Sequence, residues 1–319
     1  MKQGIIIGFL GQTQDRFSAY HSPTDTHEKL KFAAAVEGFS GVEMIFPYET
    51  GDSDETMGWM KDLNLEFAAI NVNIKKEDIF VPGALSRPSK EIRDKAVQYI
   101  KDAKDYAEKV GAPLVTCCPL ADGYDHLFQV NYSKAWRYTV DTFGEAAEYK
   151  PEIPLYVEPK FNETRVHCTI DTTAAALLML KEINNPATGV TLDFGHSMYA
   201  SENPARSLMM IADSGFGYYI HTNDNDARHD WDLSSGTRHF LHYAEMLFYA
   251  QELGYDKFLT TDASPRIFDR VGYFKRHTEF TSALWDLLSK LDRNEFFDLM
   301  DKEDALGLLV LVKEKIYRL

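Results

Sequence analysis

The sequence predicts an α/β protein, a (β/α)8 TIM barrel followed by a C-terminal helical extension. Eight short apolar segments rich in branched residues alternate with longer amphipathic segments. They recur at intervals of roughly 25 to 45 residues, about the length that a strand, a helix and two loops need in a βαβ unit. No Pro-, Gly- or Ser-rich linker interrupts the series. Eight strands that alternate with helices in one chain favour a closed parallel barrel.

The predicted strands are the short apolar runs. They are Gly4–Phe9, Gly41–Phe46, Phe67–Asn73, Leu114–Pro119, Leu155–Lys160, Gly189–Asp193, Tyr218–His221 and Phe258–Asp262.

Three of the intervening helices carry clear signals. Lys95–Gly111 has apolar residues at helical spacing and a glycine where a C-cap belongs. Asp171-Thr172-Thr173 predicts an N-cap before the apolar run Ala174–Leu180. Arg238–Gly254 repeats the first pattern, again with a terminal glycine.

The barrel is predicted to occupy residues 1–291 as one catalytic domain. Residues 292–319 would form helices that pack on the barrel or on an oligomer partner. A doubly wound sheet is the alternative fold. It is less favoured, because Gly8-Phe9-Leu10-Gly11 after the first strand lacks the spacing of a dinucleotide-binding glycine loop.

Composition narrows the classes of function. The 319-residue chain has a net charge of −15, which disfavours a nucleic-acid partner because the phosphates would be repelled. Its short basic groups, such as Lys75-Lys76, are diluted by acids. No apolar run is long enough for a membrane span, and the N-terminus lacks the features of a secretory signal. Three cysteines cannot build a disulfide framework, so we expect a cytoplasmic protein with reduced thiols.

Carboxylates or an imidazole stand at the ends of four successive predicted strands. These residues are Glu158, Asp193, His221 and Asp262. The strands of a barrel end at one mouth, where the active site lies, so these side chains should converge. Three adjacent carboxylates would repel one another unless a cation neutralised them. Oxygen-rich ligation with one histidine favours Mn²⁺ or Mg²⁺, with Co²⁺ as a further candidate. The competing interpretation of each acid alone is a cap for the next helix.

A second group of metal-ligating residues follows the same strands. Asp193 and His196 are three residues apart, and Asp230 and Asp232 form a D-x-D pair. In an extended chain, a D-x-D pair points both carboxylates to one side. The group predicts a second metal site, and the alternative is a solvated acidic loop.

Three segments carry a resemblance to a known family. Val157–Arg165 looks like the E-P-K-x-N-E-x-R stretch of the xylose isomerases. Gly189–His196 is similar to their next strand, in which an acid and a histidine bind metal, and Asp230–Leu233 resembles their D-x-D-L metal loop. His221 stands where those enzymes have an Asp and where the related ketose 3-epimerases have a His. Asp262 occupies the ligand position of the last strand.

The resemblance implies specific roles. One metal would be held by Glu158, Asp193, His221 and Asp262, and a second by Asp193, His196, Asp230 and Asp232. Lys160 would polarise or hydrogen-bond the substrate carbonyl, or else form an ion pair with a neighbouring carboxylate.

The first half of the chain departs from the xylose isomerases. The second strand, with Glu43, has no histidine in the place of their ring-opening base. The chain offers instead Asn71, Asn73 and His126, where His126 is a candidate acid/base residue or a surface histidine. Arg165, His167, Asn223 and Trp231 are predicted to contact the substrate.

These residues together predict a divalent-metal-dependent sugar isomerase or epimerase. It would act on a small carbohydrate through a metal-stabilised enediolate or a hydride shift, with Glu158, Lys160, Asp262 and His126 as catalytic residues. We prefer an isomerase here, because the D-x-D pair and His196 are both present. We expect a homo-oligomer.

Two enzymes and a binding protein compete with this interpretation. The first is a lyase that acts on a 3-oxo-sugar, because the sequence also resembles the large subunit of the C-glycoside deglycosidases, which need a small partner subunit. The second is an endonuclease IV-type nuclease, disfavoured by the acidic charge. A barrel that only binds sugars is less favoured, because clustered carboxylates usually mark a catalytic or metal site.

Overall fold

A closed barrel of eight parallel strands forms the centre of the protein and confirms the predicted (β/α)8 fold. The computed structural model describes residues 1–163 and 166–319. Around the barrel each strand lies beside its neighbours in chain order, and the first strand closes the barrel against the last. All eight carboxyl ends therefore open on one mouth.

Each barrel strand overlaps a predicted strand. The strands are β1 (Lys2–Ile6), β2 (Phe39–Phe46), β3 (Glu66–Val72), β4 (Val115–Cys117), β5 (Leu155–Val157), β6 (Thr188–Asp193), β7 (Gly217–Thr222) and β8 (Phe258–Thr261). The first and fifth end three residues earlier than predicted, and the third, fourth and eighth end one or two residues earlier. A 3₁₀ turn, Ile7–Leu10, takes over after β1, and β5 stops at Val157, just before Glu158.

The helices surround the barrel. They are α1 (Thr26–Ala35), α2 (Ser53–Asp62), α3 (Lys90–Val110), α4 (Tyr132–Glu148), α5 (Thr173–Ile183), α6 (Phe194–Tyr199), α7 (Pro204–Asp213), α8 (Phe240–Glu252), α9 (Arg270–Leu288), α10 (Arg293–Asp301) and α11 (Ala305–Val312). Shorter pieces are a 3₁₀ turn at Asp78–Phe80, a π turn at Lys313–Tyr317, and the antiparallel pairs Thr13–Gln14 with Ala19–Tyr20 and Gly123–Tyr124 with His167–Cys168. Within the described residues, every helix is too short or too polar to cross a bilayer.

The helix signals in the sequence correspond to real caps. Gly111 ends α3 with φ of +75°, a left-handed conformation that a residue without a Cβ adopts at little cost. Thr172 caps α5 by accepting a hydrogen bond from the Ala175 amide. The third predicted helix begins later than expected, at Phe240, because the Asp224 carboxylate at the end of β7 accepts hydrogen bonds from the amides of Arg238 and His239.

Hydrogen-bonded hydroxyls fill part of the barrel interior below the mouth. Thr116 of β4 and Thr191 of β6 meet with their oxygens 2.6 Å apart, and Tyr219 of β7 bonds Thr260 of β8. All four side chains are buried. Because each hydroxyl has a partner, this polar layer costs little to bury.

The C-terminal helices pack on the outer face of the barrel. Phe248 of α8, Phe296 of α10 and Leu311 of α11 form a small buried cluster separate from the main core. The rings of Phe248 and Phe296 lie 5.3 Å apart. Residues after 292 thus contact the barrel through α8.

A buried histidine joins α9 to the mouth of the barrel. The His277 side chain is 1% exposed, and its Nε2 lies 3.0 Å from the Thr261 hydroxyl at the end of β8. The Ser235 amide donates to Nδ1, which must therefore be unprotonated. Burial lowers the pKa of His277 to about 4, so the imidazole is neutral in the folded protein at pH 7.

We predict that His277 makes the protein less stable in mild acid. Its unfolded pKa of 6.5 exceeds the folded value, so the unfolded chain takes up a proton first as the pH falls. Stability contributed by the neutral ring should be complete above pH 6.5 and decrease towards pH 4. Relative to a His277→Gln variant, the wild type should lose roughly 2–3 kcal/mol of unfolding free energy between pH 7 and pH 4.5. Urea titrations at both pH values test this, and equal losses in the two proteins would contradict it.

Candidate metal-binding active site

The four residues predicted to hold one metal converge at the barrel mouth. Glu158 follows β5, Asp193 ends β6, His221 lies on β7 and Asp262 follows β8. One ligand atom from each lies within 4.8 Å of all the others. The side chains of Glu158, Asp193 and His221 are at most 3% exposed, whereas that of Asp262 is 16% exposed and faces the cavity above.

A network of hydrogen bonds fixes the position of Asp193. It caps the short helix α6 by accepting from the His196 amide at 2.7 Å. The Asn223 amide donates to both of its oxygens, at 2.9 and 3.1 Å, and the Asn223 carbonyl oxygen accepts from the Gly195 amide. A Cβ on Gly195 would lie 2.5 Å from that oxygen, so this close approach needs glycine.

His221 is oriented from the opposite side of the barrel. Its Nε2 donates to the Glu43 carboxylate on β2 at 3.0 Å, and Glu43 also accepts from Asn71 of β3 at 2.8 Å. Both Glu43 and His221 are fully buried. This contact leaves Nδ1 facing Glu158, Asp262 and Asp193 at 3.5 to 3.9 Å, without a hydrogen-bond partner among the described residues. A carboxylate that holds the remote nitrogen of a histidine is a common support for a metal ligand.

The acids at the mouth cannot all be ionised without a cation. Burial opposes the charge of Glu158, but His221 and His196 outweigh it and hold its pKa at about 2. Burial and the charge of Asp193 raise the pKa of Asp262 well above its usual range. Burial also raises the pKa of Asp193 itself. Protons or a cation must therefore balance the cluster.

The residues present fit a divalent cation. The set offers three carboxylates and an imidazole nitrogen that has no other partner, and oxygen-rich sites of this kind suit Mn²⁺ or Mg²⁺. A metal bound there would be held by Glu158, Asp193, His221 and Asp262, and its charge would replace the protons that otherwise relieve their repulsion.

The second predicted metal group has a different arrangement. The Lys160 ammonium lies 2.8 Å from an Asp230 oxygen and also contacts Glu163. His196 Nε2 lies 3.4 Å from the same Asp230 oxygen. Although burial opposes its protonation, Asp193 and Asp230 raise the pKa of His196 to about 10. Two cationic side chains thus already stand beside Asp230, and Lys160 forms the ion pair that was its alternative role.

Asp232 completes that group on the same side of the mouth. Burial and the charges of Asp230 and Asp262 raise its pKa well above the usual range. Among the described residues, Asp193, His196, Asp230 and Asp232 do not come together as one set of ligand atoms within 4.8 Å. Cys118, Glu158 and His196 form a further group of that compactness.

A cavity of about 200 Å³ opens directly above the four ligands. Glu158, Lys160, His196, Asp230, Asp232 and Asp262 form its charged wall. Ile6, Phe9, Ile45 and Leu120 form its apolar wall, and Asn71, Asn73 and Lys75 of the β3 end lie between Ile45 of β2 and Leu120 after β4. The volume and the mixture of polar and apolar surface suit a small polyhydroxylated molecule.

Several residues predicted to act at the site lie elsewhere. The His126 side chain is 85% exposed and does not line the cavity. His167 is exposed and stacks on Tyr124, with ring centroids 5.3 Å apart. Trp231 stacks on His229 outside the cavity lining, and Asn223 is buried beneath Asp193. Arg165 lies outside the described residues.

Sequence reasoning missed Glu43 as a functional residue. The signal was present, because Glu43 is the one charged residue in the apolar strand Phe39–Phe46. A carboxylate in a buried strand needs a partner, but its partner is 178 positions away in the sequence.

We predict that Glu43→Gln weakens metal binding while the protein stays folded. The neutral amide no longer fixes His221 by a charged hydrogen bond, so Mn²⁺ affinity should fall by roughly 10- to 100-fold. Isothermal titration calorimetry measures the loss. Glu66→Gln is the matched control, because Glu66 is exposed at the start of β3 and should leave the affinity unchanged. An unchanged affinity in Glu43→Gln would show that Glu43 does not support the ligand.

The chain is similar to known proteins in sequence and in fold. Over residues 30–281 the chain matches the family described as xylose isomerase-like TIM barrel. An uncharacterised protein of Methanocaldococcus jannaschii is 28% identical over 172 residues, which are 52% of this chain and 55% of that protein. The match therefore spans about half the length of that relative.

Solved structures share the fold over most of the chain. An L-ribulose 3-epimerase superposes with a TM-score of 0.71 at 16% identity, covering 91% of this chain and 96% of that one. A 3-keto-D-glucoside 4-epimerase from E. coli gives a TM-score of 0.66 at 17% identity, covering 89% and 100%. From the match over residues 30–281 and the closed parallel barrel, we conclude that the chain belongs to the xylose isomerase-like TIM barrel family.

Proposed function

We propose that the protein is a divalent-metal-dependent enzyme that epimerises or isomerises a small sugar by proton transfer next to a carbonyl. The observation that carries the proposal is the set Glu158, Asp193, His221 and Asp262, with the free Nδ1 of His221 aimed at the three carboxylates. A divalent cation supplies Lewis-acid polarisation of adjacent hydroxyl and carbonyl oxygens.

Glu158 and Asp262 are the proposed proton-transfer residues. They follow β5 and β8, which are separated around the barrel by β6 and β7, and both line the cavity. A sugar carbon between them would be approached from two sides. One carboxylate would remove the proton next to the carbonyl, and the other would return a proton to the resulting enediolate.

Lys160 and His196 would act beside this pair. Both line the cavity, and both have nitrogen atoms next to the Asp230 carboxylate there. Donors placed where negative charge develops on an oxygen stabilise an enediolate more than the starting ketone. The apolar wall, with Phe9 and Ile45, would exclude water and receive the carbon–hydrogen face of the ring.

We propose epimerase rather than isomerase chemistry. The isomerase preference depended on a second metal at Asp193, His196, Asp230 and Asp232, and the Lys160 ammonium now neutralises Asp230. A single metal suits proton transfer better than a metal-assisted hydride shift. The two structural relatives described above are named as epimerases, which supports the same choice.

The lyase alternative shares the first half of this chemistry. A 3-oxo-glycoside could also lose a proton to Glu158 and then expel its substituent. The relative that acts on a 3-keto-glucoside is the specific reason to include such compounds in a substrate screen. A requirement for an additional small subunit would distinguish the lyase.

We predict that the purified protein binds about one equivalent of Mn²⁺, and that Asp193→Ala removes it. Asp193 contributes a buried carboxylate to the ligand set, and its loss also releases Asn223. Elemental analysis after dialysis against Mn²⁺ measures the stoichiometry. Wild-type protein that stays free of metal would rule out the proposed mechanism, and two equivalents would restore the two-metal alternative.

We also predict that turnover in D₂O places deuterium on the substrate carbon next to the carbonyl. Proton transfer through a carboxylate exchanges with solvent, whereas a hydride shift keeps the original hydrogen. Glu158→Gln and Asp262→Asn should each reduce turnover by about 100-fold or more, because each removes one proton carrier. Proton NMR of the products measures the label. Products free of deuterium would favour the hydride-shift isomerase instead.

A further inference from the structure

Lys75 is a cation of the cavity that the proposed chemistry does not use. It follows β3 and lines the cavity together with Asn71 and Asn73. The Asn73 side chain accepts from the amides of Lys75 and Lys76, and the Asn73 amide donates to Phe46 at 2.9 Å. This turn holds the start of the loop firmly against β2.

The Lys75 ammonium has no ion-pair partner among the described residues. The other lysine of the cavity, Lys160, contacts both Asp230 and Glu163. The chain carries 49 acidic residues against 34 lysines and arginines, so potential partners are abundant. A partly buried lysine that still lacks a carboxylate keeps its donors free towards the cavity.

Lys76, the next residue in the sequence, has a different environment from Lys75. Lys76 is exposed, and its ammonium lies 4.2 Å from the centroid of the Tyr48 ring, outside the cavity lining. Lys75 instead lines the cavity. After burial and the two histidines, its charge is a further influence on the pKa of Glu158.

The barrel order places Lys75 across the mouth from His221. Strand β3 lies between β2 and β4, opposite β7, which carries His221. A substrate whose reacting carbons lie at Glu158 and Asp262 would bring another of its groups within reach of Lys75, which lines the same cavity. Three ammonium donors there suit an oxyanion better than a hydroxyl, because a hydrogen bond between two charged groups is roughly twice as strong as a neutral one.

We propose that Lys75 binds an oxyanion of the substrate on the β3 side of the cavity, so that the substrate is an acidic sugar that carries a carboxylate or a phosphate. This inference rests on the proposed function, since it assumes that a sugar occupies the cavity. It adds the substrate class, which the metal ligands alone leave open. The acidic wall opposes an anionic ligand, and the Lys75 charge would offset part of that opposition.

Three related ketoses test the proposal. D-fructose, D-fructuronate and D-fructose 6-phosphate differ at carbon 6, which bears a hydroxyl, a carboxylate or a phosphate. Calorimetric titration of the Mn²⁺-loaded wild type should show at least one of the two anions binding roughly 10- to 100-fold more tightly than D-fructose. The tighter anion identifies the group. Equal affinities, or no binding of either anion, would overturn the inference.

Two lysine variants supply the control. Lys75→Met should remove the preference for the anion, whereas Lys76→Met removes a similar charge outside the cavity and should keep the preference. An anion preference that survives in Lys75→Met would overturn the role of Lys75. Mn²⁺ stoichiometry of each protein separates the two proposals. Absent Mn²⁺ binding contradicts the proposed function, and normal Mn²⁺ binding without an anion preference contradicts only the inference about Lys75.

Discussion

The mutual repulsion of Glu158, Asp193 and Asp262 is the constraint on which the arrangement of the mouth depends. Their ligand atoms lie within 4.8 Å of one another in a largely buried place, where charges are screened poorly. His221 relieves part of this repulsion, and burial together with the remaining charge raises the pKa of Asp262. A cluster of this kind is costly to fold and suited to a cation, which is why it indicates function.

The supporting contacts make this cost tolerable. Asn223 neutralises part of the Asp193 charge by donating to both oxygens, and Glu43 holds His221 from across the barrel. The Lys160 ammonium neutralises the Asp230 carboxylate in a similar way. Asp193, His221 and Asp230 are therefore each held by a residue from another strand or loop before any ligand binds.

The charged residues and most of the apolar residues that line the cavity come from different strands of the barrel. Charged residues come from the ends of β5 to β8 and the loops that follow them, whereas β1 and β2 contribute Ile6 and Ile45 to the apolar wall. A sugar placed between these walls presents its oxygens to one side and its carbon–hydrogen bonds to the other. The end of β3 contributes Lys75 and two asparagines to the same lining.

The sequence by itself determined the barrel and the residues that could form the metal centre. Strand length, alternation with helices and caps such as Gly111 are local properties, and Glu158, Asp193, His221 and Asp262 were predicted because parallel strands must end at one mouth. Only the tertiary structure decided the distances between them. Glu43 reaches His221 from 178 positions away, Lys160 turns towards Asp230, and His126 points into solvent. These outcomes depend on loop conformation and on packing across the barrel, which no periodicity in the sequence records.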